Sequence, residues 1–170
     1  MGPAAVGRAP PARFSVILIP YTAGMAPADL HERVGYLLAG DDQRYTQARR
    51  RLVGVLAETT FPLTIPEIIE RDAHLAQSSA YRNLVLLERV GVVQRVVATG
   101  EWSRFELAEG LTDRHHHHLI CAGCGAVQDV EVPDALERRL DRELADLAST
   151  AGFTLDHHRL DLVGRCVACA

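Results

Sequence analysis

The sequence predicts an α+β protein, in which a winged helix-turn-helix domain precedes a small α/β domain. Three observations support this class. Apolar residues recur at helical spacing between residues 29 and 89, two β-like runs follow, and two Cys-x-x-Cys motifs lie in a back half that alternates strand and helix patterns. We expect four segments: a flexible extension rich in Gly, Pro and Ala, a winged-helix domain, a hinge linker and a metal-binding domain, over residues 1–27, 28–107, 108–114 and 115–170.

Three helices are predicted first. Apolar residues at i, i+4, i+7 and i+8 place the first helix between Asp29 and Gly40. Thr46 is the expected N-cap of the second, because a Ser or Thr hydroxyl can accept from the exposed N–H groups of the first turn. Thr64 and Glu67 have the spacing of a capping box and begin a short third helix.

The fourth predicted helix begins at a cap supplied by Ser78 or Ser79 and ends before Gly91. Two β-like runs follow, over 92–98 and 102–107, with a turn at 99–101. This order indicates a helix-turn-helix with a wing, in which the fourth helix is the recognition helix. An ordinary helical subdomain with surface arginines is the alternative. The residues expected to be exposed towards duplex DNA are Ser78, Ser79, Tyr81, Arg82 and Asn83.

Charge is distributed unevenly along the chain. The formal net charge is −4, but residues 44–95 contain eight Arg and five acidic residues, whereas residues 106–170 contain six Arg and twelve acidic residues. All 18 basic residues are Arg, whose planar guanidinium suits phosphate and guanine. No apolar run approaches the roughly 18 residues of a spanning helix. We therefore expect a cytoplasmic protein without a membrane partner or a small-molecule substrate.

The back half reads as strand, strand, helix and strand, over residues 115–121, 126–132, 133–151 and 154–163. Its four cysteines form two motifs, Cys121-x-x-Cys124 and Cys166-x-x-Cys169. Two such turns complete a tetrahedral thiolate site for structural Zn²⁺. Since 41 residues separate the pairs, the fold must bring them together. Two disulfides or a redox motif are the alternatives.

Four consecutive histidines precede the first cysteine. On a strand, alternate side chains point to opposite faces, so His115 and His117 form one potential chelating pair and His116 and His118 the other. One strand would thus contribute to two metal sites. Such mixed His and carboxylate sets suit Fe²⁺, Mn²⁺ or Zn²⁺, although each acid taken singly reads as a surface charge. The residues placed to complete the sites are Glu106, Asp129, Glu137, His157 and His158.

In their order along the chain, these motifs resemble the ferric uptake regulator (Fur) family of metal-responsive repressors. The resemblance covers residues 45–170. It rests on Ser79-Ala-Tyr81-Arg82, Arg104-Phe-Glu106-Leu, the HHHHLIC run at 115–121, the HHRLDLVG run at 157–164 and the two cysteine motifs.

The resemblance implies a homodimer joined through the C-terminal domains, which binds palindromic operators through Tyr81 and Arg82 and holds zinc at the four cysteines. It implies a sensing site for Fe²⁺ or Mn²⁺ at Glu106, His116 and His118, with Asp129 matching a ligand of peroxide-sensing members. The second metal site of the family maps onto His115, His117, Glu137 and His158.

Two departures bear on the sensed ion. Many members supply a histidine from the loop before the third helix, whereas this loop contains Pro62 and no His, leaving His74 as the nearest substitute. Ala108 stands where zinc sensors often have Cys, which counts against zinc sensing, whereas Glu106 favours iron or manganese. Asp129 keeps peroxide sensing as an alternative, although the missing loop histidine counts against it. A zinc hydrolase or a metal buffer would be the rival from a different class. No HExxH or HxE…PCxxC pattern supports an enzyme.

Overall fold

The computed structural model describes residues 27–96, 103–112 and 115–170, so the predicted extension at 1–26 and the turn at 99–101 lie outside the described residues. Each half contains one three-stranded sheet. The elements of the front half are α1 (Pro27–Gly40), α2 (Gln47–Ala57), β1 (Leu63–Thr64), α3 (Ile65–Arg71), α4 (Gln77–Arg89), β2 (Val93–Val96), β3 (Arg104–Leu107) and α5 (Glu109–Thr112). Those of the back half are β4 (His117–Cys121), β5 (Val127–Val130), α6 (Asp134–Thr150) and β6 (Asp161–Gly164).

The predicted caps of α2 and α3 are present. The Thr46 hydroxyl accepts from the backbone N–H of Arg49. The backbone N–H of Thr64 donates to Glu67 Oε2 over 2.7 Å, while the Thr64 hydroxyl accepts from the backbone N–H of Glu67. For α4 the predicted cap is wrong: its N-cap is Ala76, and no side chain caps the helix. The helix therefore begins at Gln77, one residue before Ser78, and both serines lie in its first turn.

The first sheet is larger than the predicted hairpin. β2 and β3 pair antiparallel, with Gln94 opposite Glu106, and the two-residue strand β1 pairs with the other edge of β3. No local sequence pattern predicts β1, because its strand geometry depends on pairing with β3. Helices α1–α4 pack with this sheet around a core of eighteen buried apolar residues, among them Leu38, Leu84 and Phe105.

The segment predicted only as a linker contains α5. Leu111 on this short helix is 3% exposed and belongs to the core of the front half. Arg33 of α1 donates to the carbonyl of Gly110, so a second contact fixes α5 against α1. The segment is thus partly helical and docked.

The second sheet has the order β5-β4-β6. β4 pairs antiparallel with β5 and parallel with β6, and Cys121 lies opposite Gly164. The parallel register places the ends of β4 and β6 side by side, which brings both cysteine turns to one edge. The predicted strand over 154–163 is wrong in its extent, because only Asp161–Gly164 pairs with β4.

The two halves touch along the first sheet. Val96 of β2 packs with Ile120 of β4 and with Val127. The Arg159 guanidinium donates to the carbonyl of Arg95 over 3.1 Å, and the Arg104 guanidinium donates to that of Gly125 over 3.2 Å. These contacts set the edge of the winged half against the histidine strand. Among the described helices, none is long and apolar enough to cross a bilayer.

Candidate metal centres and nucleic-acid interface

Four cysteines from the two turns converge on one point. The four Sγ atoms lie within 4.8 Å of one another, and those of Cys124 and Cys166 are 3.8 Å apart. Four sulfurs at about 2.3 Å from a tetrahedral zinc would be about 3.8 Å apart. All four thiols are free of disulfides. The arrangement therefore fits a tetrathiolate ion site better than two separate Cys-x-x-Cys disulfides.

The electrostatics of the cluster also fit a cation. The backbone N–H of Cys166 donates to Cys121 Sγ over 3.3 Å and is the largest of the effects that lower the pKa of Cys121 to about 6. The neighbouring thiols of Cys166 and Cys124 raise the pKa of Cys169 to about 12. Four thiolates in this space need a positive charge between them. The approach is so close that a Cβ on Gly123 would lie 2.8 Å from that of Cys169.

A second group of donors lies where the two halves meet. Glu106 comes from β3, His116 and His118 from the β4 segment, and Asp129 from β5. The Nε2 atom of His116 is 3.3 Å from Glu106 Oε2, and that of His118 is 3.1 Å from Glu106 Oε1. Both nitrogens are 3.9 Å from an Asp129 oxygen. The four side chains are mostly buried, and three of them, Glu106, His116 and Asp129, border a cavity of about 40 Å³.

Opposite charges stabilise one another in this group. Burial disfavours a charged Glu106, but hydrogen bonds from His116, His118 and Gln94 outweigh it and lower the pKa of Glu106 to about 2. Burial likewise opposes a charged His116, yet the hydrogen bond and charge of Glu106 raise the pKa of His116 to about 9. Protons on the imidazoles thus supply the positive charge that a divalent ion would supply.

A third group lies on the other face of β4. Its carboxylate, Glu137 of α6, reaches three imidazoles: Oε2 is 3.0 Å from His117 Nε2, and Oε1 is 3.1 Å from His115 Nε2 and 3.0 Å from His158 Nε2. The ring centroids of His115 and His158 are 4.9 Å apart, and the ring planes meet at 69°. The division of the four consecutive histidines between two faces is the one that strand alternation predicts.

The third group has short distances without matching hydrogen bonds. Among the described residues, Glu137 Oε1 and His158 Nε2 have no hydrogen-bond partner, although they lie 3.0 Å apart. Donors around a metal at about 2.1 Å are themselves about 3.0–3.4 Å apart, and they point at the ion rather than at each other. The residues therefore fit a divalent cation.

The sequence did not predict two carboxylates that contact the Nδ1 atoms of the histidines in these groups. Asp161 Oδ1 is 3.2 Å from His118 Nδ1, and Asp141 Oδ1 is 3.3 Å from His158 Nδ1. A carboxylate on the far nitrogen fixes the tautomer and orientation of a ligating histidine. Asp141 lies one turn beyond Glu137 on α6, a spacing that was readable, whereas Asp161 depends on the parallel pairing of β6. Within the described chain, His157 and His74 lie outside all three donor groups.

The helix-turn-helix consists of α3 and α4. Tyr81 is 53% exposed and Arg82 is exposed near the N-terminus of α4. Ser79 and Asn83, which the sequence predicted to be exposed, are half-buried. Asn83 donates to the Ser79 hydroxyl over 3.3 Å and accepts from Arg49 Nε over 3.1 Å. This face of α4 therefore meets α2, and Asn83 holds Arg49 rather than facing solvent.

Comparisons with known proteins agree with this architecture. The model of the Ferric uptake regulator family matches residues 41–163. The Ferric uptake regulation protein of Brucella abortus is 34% identical over 123 residues, which are 70% of this chain and 82% of that protein. The Peroxide-responsive repressor PerR of Staphylococcus aureus is 26% identical over 131 residues, 74% of this chain and 82% of that protein.

Solved structures have the same fold. The Helicobacter pylori ferric uptake regulator Fur superposes with a TM-score of 0.65 at 22% identity, covering 85% of this chain and 94% of that one. The fold and the family model together define the class, a two-domain metal-responsive regulator. The chain belongs to the ferric uptake regulator family. Membership places it among regulators rather than enzymes.

Proposed function

We propose that the chain is a homodimeric transcriptional repressor of the cytoplasm, which binds palindromic duplex DNA when Fe²⁺ or Mn²⁺ occupies the sensing site. The sensing site is defined as Glu106, His116, His118 and Asp129. One observation carries the proposal: this site draws Glu106 from the sheet of the winged half and its other members from the β4–β5 pair of the back half. An ion bound there contacts both halves at once.

The mechanism follows from that placement. A ligand shifts an equilibrium between arrangements of the halves only by its differential affinity for them. Glu106 and His118 Nε2 are 3.1 Å apart in the present arrangement, and a rotation of one half would separate them. When bound, the ion supplies the positive charge that holds the carboxylates and imidazoles together. It therefore favours the arrangement in which they converge, and no His from the Pro62 loop is required for the coupling.

The donor set supports iron or manganese as the sensed ion. Two carboxylates and two imidazoles form a mixed oxygen and nitrogen set without sulfur, whereas thiolates favour zinc. The described donors of the sensing site include no Cys. Zinc sensing remains the alternative, since imidazole also suits zinc. Peroxide sensing is supported by Asp129 and by the likeness to the staphylococcal repressor.

The four cysteines are proposed to hold structural Zn²⁺, because their sulfur spacing fits a tetrahedral ion. The third donor group is proposed as a second metal site, defined as His115, His117, Glu137 and His158. Its three imidazoles suit Zn²⁺ as well as Fe²⁺ or Mn²⁺.

The recognition helix is proposed to enter the major groove. Tyr81 and Arg82 lie on the exposed face of α4, and Ser79 and Asn83 support that face from within. Arg82 can bind a guanine edge or a phosphate, and Asn83 accepts a hydrogen bond from Arg49 of α2. Because phosphate contacts release counterions, the affinity must be measured at one fixed salt concentration.

The dimer is proposed from an apolar face that one chain leaves uncovered. Helix α6 is 17 residues long and has no buried residue. Its leucines recur at helical spacing, and Leu147 is 67% exposed, while Val163 of β6 is 61% exposed and Phe153 is 66% exposed. Exposed large apolar side chains in this number are typical of a surface that another molecule covers. A second copy covering it would give two recognition helices related by a two-fold axis, which matches a palindrome.

The experiment is fluorescence anisotropy on a duplex from the upstream region of the gene for this chain. Protein loaded with structural zinc is titrated without further metal and with Fe²⁺, Mn²⁺ or Zn²⁺ at fixed salt. Tight binding with Fe²⁺ or Mn²⁺ supports the proposal. Specific binding only with Zn²⁺ supports the zinc-sensing alternative, and loss of binding on peroxide treatment of the iron form supports the peroxide-sensing one.

Two arginine variants test the interface. Arg82→Ala should weaken binding about tenfold or more, since a bidentate base contact contributes roughly 1–3 kcal/mol. Arg89→Ala is the matched control, because Arg89 lies at the opposite end of α4, where its exposed side chain pairs with Asp41. Equal effects of both variants would refute the recognition-helix assignment. Absence of specific binding in every metal state would instead favour a metal buffer.

A further inference from the structure

Glu109 stands between the two histidine sites. Its Oε2 atom is 2.9 Å from Nδ1 of His115, a member of the second metal site. Its Oε1 atom faces the next residue, His116 of the sensing site, at 4.0 Å from Nδ1 and 3.5 Å from the backbone nitrogen. Because these histidines point to opposite faces of the strand, one carboxylate contacts a proposed ligand of each site.

Glu109 does not contact the nitrogen of either ring that faces its donor group. Nε2 of His115 points to Glu137, and Nε2 of His116 points to Glu106. Glu109 therefore faces the ring nitrogen that would carry the proton when the other nitrogen binds an ion. A carboxylate in this position fixes the tautomer of a ligating histidine and strengthens its donor nitrogen.

The carboxylate is held in place by the fold. Glu109 is the first residue of α5, Leu111 of the same helix is buried in the core of the front half, and Arg33 binds the carbonyl of Gly110. The Glu109 side chain is 25% exposed. Glu109 thus approaches both sites from the winged half, as a fixed group rather than as a loose surface side chain.

We propose that Glu109 is a positioning residue that couples the two metal sites, so that an ion in one strengthens binding in the other. This inference rests on the proposed function, since it requires both sites to bind ions. An ion on His115 Nε2 makes its Nδ1–H a stronger donor and fixes Glu109. The fixed carboxylate then accepts from the backbone N–H of His116 and keeps this ligand beside the sensing site. Its negative charge also offsets the repulsion between two divalent ions.

The test is an isothermal titration calorimetry experiment, in which Mn²⁺ is added to protein that already holds its structural zinc. His158→Ala leaves only the sensing site, His118→Ala leaves only the second site, and the unchanged protein has both. The coupling factor is the product of the two association constants in the unchanged protein, divided by the product of the two single-site constants. We expect a factor of about ten, and a factor near one when all three titrations are repeated with Glu109→Ala.

Controls separate coupling from general damage. Glu58→Ala changes an exposed glutamate at the end of α2 and should leave the factor unchanged. Glu109→Gln keeps an acceptor for His115 but removes the charge, and should retain part of the coupling. If His158→Ala fails to fold, Glu137→Gln replaces it.

The outcomes are distinct. A factor near one in the unchanged protein, or an equal factor with and without Glu109, overturns the coupling role. Failure of the unchanged protein to bind any Mn²⁺ beyond its structural zinc overturns the proposed function itself.

Discussion

Cys124→Ser should unfold the back half of the chain and leave the winged half folded. Cys124 lies in the exposed turn that meets Cys166 across 3.8 Å, so the substitution removes one of four thiolates without creating a clash. Serine does not replace a thiolate as a zinc ligand. The expected result is loss of the zinc together with the structure that depends on it, because binding free energy at such a site is folding free energy.

The size of this destabilisation follows from the small apolar core of the back half. Its cluster contains two buried residues, Val96 and Ile120, and Val96 belongs to β2, whereas the winged half has eighteen. Burying an aliphatic side chain stabilises by about 1.5–3 kcal/mol, so this cluster contributes about 3–6 kcal/mol. A structural zinc contributes about 10–16 kcal/mol. Without the zinc contribution, the apolar cluster does not offset the conformational entropy lost on ordering β4–β6.

The assay is hydrogen exchange of backbone amides, compared between Cys124→Ser and the unchanged protein, with bound zinc measured in parallel. Amides of β4 and β6 should lose protection, while those of α2 and α4 should keep it. Ala122→Ser, an exposed substitution in the same turn, is the control. A zinc-free Cys124→Ser protein with full protection in β4 would refute the reasoning.

Three further predictions follow from single contacts. Gly123→Ala should weaken zinc retention against a chelator, because the added Cβ would lie 2.8 Å from that of Cys169; unchanged zinc release would contradict the packing. Arg104→Ala should lower the melting temperature by several degrees, because its guanidinium binds Glu67 over 2.9 Å and the Gly125 carbonyl over 3.2 Å across the halves; calorimetry checks this. Because Glu106 raises the pKa of His116 to about 9, an ion must displace that proton. Mn²⁺ affinity should therefore rise about tenfold per pH unit from pH 6 to 9, and a flat profile would count against it. In the metal-free protein, the raised pKa of His116 stabilises the folded state. This stabilisation is complete below the pKa of the unfolded chain, about 6.5, and is lost as the pH rises through about 9.

Local patterns were enough for much of the fold. The Thr64 and Glu67 pair encodes its capping box within four residues, and the period of two in a strand separates His115 from His116 without tertiary information. Elements that depend on distant partners were not readable. Strand β1 exists because β3 lies beside it, and β6 is short because only four residues reach β4.

The same distinction applies to the candidate sites. Glu106 and Asp129 could be proposed from residue type and from the resemblance, but Asp161 and Glu109 could not. Asp161 reaches His118 through a parallel pairing over 43 positions of sequence. Glu109 reaches both sites because α5 docks in the core of the front half, and a segment with Gly and Thr gives no local sign of that docking. Asn83 looked exposed because its partner Arg49 lies on another helix.

The most direct measurement is the Mn²⁺ dependence of operator affinity in His118→Ala, compared with His157→Ala and the unchanged protein. His118 is nearly fully buried in the sensing site, whereas His157 is exposed and outside every donor group described. We predict that Mn²⁺ strengthens DNA binding about 5- to 150-fold in the unchanged protein and in His157→Ala, and has no effect in His118→Ala. A full metal response in folded His118→Ala would contradict the claim that an ion bound between the two halves controls binding to DNA.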